Sequence, residues 1–199
     1  MIRADQRASG RAHSAAMVRL LCTSSRIANR FGRSQSGASA IEFAILALPL
    51  LLLLAAILEV GLVYAATFSL ENATAQGARV IRTGQAQNKG FDAGKFKTEL
   101  CTHLSAPLSC TGVKLDVRKF SSFSGVDLTN PLDSKGALKQ NFTYNPGVGG
   151  DVVVVRAFYE WTLAAKMPKG IALSNMGNGN RLLVATAAFR NEPFKAATK

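Results

Sequence analysis

Two histidines, three cysteines and one tryptophan in 199 residues leave this chain little with which to bind metal or run acid–base chemistry. Three cysteines are too few for a disulfide-dense miniprotein, and an apolar share of 48% excludes a disordered chain. The length has room for one ordinary domain and an appendage, which excludes a multi-domain enzyme. Acidic residues are also scarce, with 12 Asp+Glu against 24 Lys+Arg and a formal net charge of +12. Spread over a folded module, that excess would suggest a nucleic-acid binder. It is not spread evenly: residues 1–37 hold seven arginines and one aspartate, half of the net charge in less than a fifth of the chain.

What is present begins with that basic end. Arg3, Arg7, Arg11, Arg19, Arg26, Arg30 and Arg33 stand among Ser and Ala with no hydrophobic periodicity, so residues 1–37 read as an unstructured cytoplasmic leader. A nucleic-acid arm would need a folded binding module behind it, and here an apolar segment follows, so no nucleic-acid partner is expected. Met17 offers a second start that keeps four of the arginines.

From Ala38 to Leu70 the chain reads ASAIEFAILALPLLLLLAAILEVGLVYAATFSL, and no charge falls between Phe43 and Leu58. A transmembrane helix needs about 20 apolar residues, which Ile41 to Tyr64 supplies if Glu59 lies at the outer boundary. Pro49 should kink this helix without ending it, because the apolar run continues on both sides. Arginines crowd the amino-terminal flank, so the positive-inside rule places the amino terminus in the cytoplasm and the carboxyl-terminal domain outside, as a single-pass protein. A secretory signal peptide is the rival reading. Its apolar core is shorter, however, and Val63-Tyr64-Ala65 is a mediocre cleavage site after an acidic residue.

An acidic residue at the inner edge of a membrane helix is costly and asks for a partner. Glu42 is that residue, in the setting Gly37-Ala38-Ser39-Ala40-Ile41-Glu42-Phe43. A basic leader ending in glycine, a small residue, glutamate at the fifth position after the glycine and phenylalanine beside it resemble the processing site of type IV-like prepilins. The closest resemblance is to the TadE-like pseudopilins of the tight-adherence (Tad/Flp) pilus system. Leu48-Pro49-Leu50, Glu59-Val60-Gly61, Ala75-Gln76-Gly77-Ala78-Arg79 and the ending Phe189-Arg190-Asn191-Glu192-Pro193-Phe194 extend it over most of residues 33–194. The resemblance implies a membrane-embedded prepilin peptidase that cuts between Gly37 and Ala38. Other pilin-like subunits, the pilus assembly machinery and membrane lipid are the further partners it implies. Glycine lets an extended backbone enter a narrow cleft without a clashing side chain. Once the leader is gone, the Glu42 carboxylate can neutralise the new Ala38 amine in a neighbouring subunit. Taken alone, Glu42 and Glu59 also read as boundary carboxylates that reach head groups, water or a neighbouring helix.

Beyond the membrane the helix should run to about Gly84, a span of about 70 Å from Ala38 at 1.5 Å per residue. Val63, Ala66, Leu70, Ala73, Gly77, Val80 and Gly84 form a stripe at spacings of three and four. It packs either on the protein's own carboxyl-terminal domain or on another subunit's helix. Residues 85–199 read as a small α+β domain. Its elements are a short amphipathic helix in Phe91–Leu104, a strand from Val113 to Arg118 with one buried and one wet face, a central strand from Asp151 to Trp161 and a third over Arg181–Arg190. Residues 120–150 and 168–180 read as loops, and the strands as an antiparallel sheet laid on the stalk helix.

Cys101 and Cys110 are expected to pair in an oxidising compartment, while Cys22 lies in the leader. With His103 they make only three possible metal ligands in no standard zinc spacing, so no metal and no cofactor is expected. His103 reads as a helix-surface residue. Gly147-Val148-Gly149-Gly150 precedes a strand, whereas a phosphate loop precedes a helix. No enzyme is indicated. The expected function is a minor pilin-like subunit, processed by a prepilin peptidase, for assembly of a Tad-type pilus used in adhesion. The alternative is an uncleaved single-pass anchor carrying a periplasmic binding or envelope-structural domain, and a third reading is a secreted domain released by signal peptidase.

Overall fold

The computed structural model describes residues 35–164 and 173–194. The leader up to residue 34, with Cys22, lies outside the described residues. Helix α1 runs from Gln35 to Arg82, through Pro49. The chain divides into two compact units, one ending at Ala56 and the other running from Ile57. In the first, apolar side chains stand out from the helix. Ile41, Phe43, Leu46, Leu51 and Leu52 are each more than 60% exposed, as expected of a surface meant for lipid rather than water.

The second unit is an α+β domain that incorporates the last part of α1. Gly84, at φ 77°, turns the chain out of the helix. A side chain there would strike the Phe194 ring, with the added Cβ only 2.5 Å away. A short helix, α2 (Gln85–Asn88), follows, then α3 (Ala93–Cys101), whose start is capped by Asp92 accepting the Lys95 N–H at 2.7 Å. The amphipathic helix is thus shorter than the Phe91–Leu104 span that its periodicity suggests. Its apolar face still works as expected: Phe96 and Leu100 are fully buried.

Strands β1 (Val113–Phe120), β2 (Val152–Trp161) and β3 (Arg181–Arg190) form one antiparallel sheet in the order β1-β2-β3. Val113 pairs with Tyr159, Val152 with Arg190 and Trp161 with Arg181. One sheet face, carrying Val113, Val117, Val153, Val155, Ala157, Leu183 and Ala185, packs on Val63, Ala66, Leu70, Ala73, Ala78 and Ile81 of α1. Most of the small-residue stripe is therefore spent within the chain. Gly77 lies where a Cβ would come within 3.1 Å of Leu100 and 3.3 Å of Phe96, so its lack of a side chain is what lets α3 approach α1. Ala78 and Ile81 replace Val80 as the buried positions in the last turns, because a helix of 3.6 residues per turn drifts off a strict heptad.

The second sheet face departs from expectation. Alternation in β1 predicts it wet, yet Phe158, Met176 and Leu182 form a small second core there, with Leu132, Leu138 and Phe142 packed against it. The connection between β1 and β2 folds back over this face. It is anchored by Asp116, which is 4% exposed and accepts from Arg118 Nε and from the Thr143 N–H at 2.9 Å. Arg156 lies on the same face, 4.9 Å from the centroid of the Phe158 ring, and burial lowers its pKa.

Tyr144 belongs to the first core and lies 5.4 Å from Phe96, ring centroid to centroid. Burial, with a smaller contribution from Asp92, pushes its hydroxyl from 10.0 up to about 12. The folded state then holds this proton more tightly than the unfolded chain, so stability present below pH 10 should be lost as pH rises toward 12. Denaturant midpoints across that window should fall more steeply for the parent protein than for Tyr144→Phe; equal slopes would exclude this account.

Candidate functional site

The residues singled out by sequence fall at two places, the amino-terminal turns of α1 and the domain beyond it. Gly37 and Ala38 lie within the first turn of α1, because the helix already begins at Gln35. The first turn of any helix has N–H groups without intrahelical partners, and glycine weakens it further, so this is the easiest part of α1 to unwind. Glu42 stands one helical turn beyond Ala38, on the same side of the helix. It is exposed, and among the described residues no hydrogen bond or ion pair engages its carboxylate. Phe43 next to it is 73% exposed. Among the described residues, Glu42 and Phe43 stand outward from α1 rather than in a folded site.

Glu59 behaves differently. Its Oε1 accepts the backbone N–H of Ala164 at 2.7 Å, a contact between residues 105 apart in sequence. The boundary carboxylate is bonded to its own domain, a partner that sequence reasoning had not considered. A hydrogen bond to a residue so distant leaves no local spacing signal.

Two further connections fix the domain along α1. The Ser69 hydroxyl donates to the Ser105 carbonyl at 2.8 Å and accepts the Ser105 N–H at 2.9 Å. At the far end the Glu192 N–H donates to the Arg82 carbonyl at 2.9 Å, and Arg82 Nε lies 3.4 Å from the Glu192 carboxylate. Asn191, 2% exposed, donates from Nδ2 to the carbonyls of Pro146 and Val148, both at 3.0 Å. The Phe189–Phe194 ending is thus a clasp that closes the sheet on the last turn of the helix.

Cys101 and Cys110 are joined as a disulfide with their Cα atoms 5.6 Å apart, so neither sulfur is available as a thiolate ligand. Among the described residues no group of three His, Cys, Asp or Glu is placed to hold a metal ion. His103 is exposed in the turn that follows α3.

Residues 37–79 match a family model described as TadE-like protein, so this segment is similar to TadE-like proteins of the Tad pilus, a structural rather than catalytic kind of protein. The matched stretch starts at the glycine of the motif and ends within the stalk part of α1, a narrower span than 33–194. No curated protein and no solved structure matches the chain.

Proposed function

We propose that this chain, TadE-like over residues 37–79, is a minor pilin-like subunit of a Tad-type pilus. In this reading a prepilin peptidase removes the leader between Gly37 and Ala38. The subunit then sits as a single-pass inner-membrane protein with its sheet domain in the periplasm and contributes to a pilus used in adhesion. One observation carries the reading: the family match begins at Gly37, and an exposed carboxylate with no partner among the described residues follows one turn after Ala38.

The chemistry at the cut end is coherent. Removing residues 1–37 leaves α1 with a new ammonium at Ala38, placed at the positive end of the helix dipole, where a cation is disfavoured. A carboxylate one turn away offsets both charges, whether it belongs to the same chain or to a neighbouring subunit. The apolar exposed surface of α1 from Ile41 to Leu58 suits lipid before assembly and helix packing after it.

The intact mass of the protein purified from membranes tests this reading. Loss of residues 1–37 supports the pilin, an unprocessed chain supports the permanent anchor, and loss of everything to about residue 65 supports secretion. Gly37→Val should abolish the mass change and leave a full-length membrane protein, since the branched side chain bars the peptide from the peptidase cleft. Normal maturation of that variant removes the central support for the proposal.

A further inference from the structure

The three connections between α1 and the sheet fix which end of the domain lies at the membrane boundary. Glu59 holds Ala164, three residues past the end of β2, while Arg82 holds Glu192, two residues past the end of β3. The lengths agree. From Glu59 to Arg82 the helix rises about 34 Å, and the ten residues of β2 span about 33 Å. The end of the sheet where Trp161 pairs with Arg181, and where β1 begins at Val113, is therefore level with the first charged residue after the apolar run.

Lys114 and Lys135 are exposed and line an open cleft of about 530 Å³ together with Gln140, Glu160, Met176 and Asn178. Three carboxylates nearby accept hydrogen bonds, Asp133 Oδ1 among them, from the Lys135 and Ala137 N–H groups at 2.8 and 2.9 Å. Glu160 accepts from Asn178 at 2.6 Å and Asn180 at 2.7 Å, and Glu59 accepts from Ala164. Among the described residues no acidic side chain lies within ion-pair distance of Lys114, Lys135 or Arg181. Trp161 is half-buried at the sheet end, and Tyr64, five residues past Glu59, is 62% exposed. Amphipathic aromatic rings with cations beside them are what a bilayer's head-group layer accommodates.

We infer that the Trp161 end of the sheet rests on the membrane surface, with Lys114 and Lys135 contacting anionic phospholipid head groups. This rests on the membrane-spanning reading of α1. It adds a lipid-contacting surface on the folded domain, separate from the helix. Glu59 is then the positioning residue that holds this edge at head-group depth.

The sole tryptophan makes the test direct. The full chain is reconstituted in nanodiscs of phosphatidylcholine containing a minority of phosphatidylglycerol, and Trp161 fluorescence is quenched by nitroxide probes at head-group or deep acyl-chain positions. Head-group probes should quench more than deep ones, and a probe carried on phosphatidylglycerol more than the same probe on phosphatidylcholine. Each cation near the surface favours anionic lipid about fivefold, so Lys114→Gln with Lys135→Gln should erase most of that preference while quenching by zwitterionic probes persists. Glu59→Gln, which keeps an acceptor, should leave head-group quenching in place, and Glu59→Leu should reduce it. Failure of the chain to co-purify with nanodiscs overturns the membrane reading itself. Co-purification with an unquenched Trp161, or a lipid preference that survives the double lysine variant, overturns this inference alone.

Discussion

Glu42→Ala should be cut to the same mature mass as the parent chain and still fail to join other pilin-like subunits. In the proposed maturation, cleavage needs the basic leader and Gly37 in the peptidase, whereas the carboxylate becomes useful only once the Ala38 ammonium exists. Removing one partner from an ion pair buried in a membrane contact costs about 3–5 kcal/mol, because the surviving charge is left uncompensated. In an association equilibrium that is a loss of at least about a hundredfold. Glu42→Asp should recover part of the activity, since its shorter arm draws the carboxylate back from the amine. Mature mass and pilus assembly measured in the same strains decide the matter. The geometry adds a discrimination: Ala38 and Glu42 are one turn apart within α1, so the pair can form inside a single subunit. A Glu42→Ala protein that assembles like the parent would limit the carboxylate to its own chain or to the head groups, and the inter-subunit pairing would be wrong. Glu59→Ala is an informative companion, because its carboxylate is bonded to Ala164 and its loss should disturb the domain rather than the amino-terminal contact.

Opening the Cys101–Cys110 bond should destabilise the domain by about 2–3 kcal/mol, the chain-entropy value for so short a loop. For a unit of this size that corresponds to a melting shift of roughly 5–10 °C. The bond closes the chain between the end of α3 and the start of β1, so its loss also frees the segment that carries Ser105 to Ser69. Cys101 and Cys110 should be unreactive to maleimide until a reductant is added. Cys101→Ser with Cys110→Ser should show the lowered melting temperature with the sheet retained. Free thiols at Cys101 and Cys110 in freshly isolated, unreduced protein, or an unchanged melting temperature in the double variant, would contradict this role.

Much of the architecture is written locally. The uninterrupted apolar run, the arginines before it and the charge at Glu59 are properties of consecutive residues, and a helix capable of spanning a bilayer follows from their length and composition. The four-valine run opening β2 and the alternation in β1 specify strands for the same reason, since a period of two needs no distant contact to be recognised. The motif from Gly37 to Phe43 is likewise continuous in sequence, and the family match falls on it.

Tertiary structure decided where each surface was spent. Periodicity finds a stripe on α1 but cannot say what covers it, and only the folded chain puts the sheet and α3 there, with Gly77 under Leu100. Alternation in β1 marks one face polar, yet Asp116 is buried because Arg118 and Thr143 satisfy it and the β1–β2 connection closes over it. Glu59 shows the limit most clearly. A lone boundary glutamate is chemically indistinguishable from a solvated one until a backbone N–H 105 residues away is brought to it. Residue type, spacing and period therefore settled the strands and a helix long and apolar enough to cross a membrane. The partners of charged and small residues were settled by long-range packing, because a hydrogen bond or a close approach depends on distance in space, which local spacing does not encode.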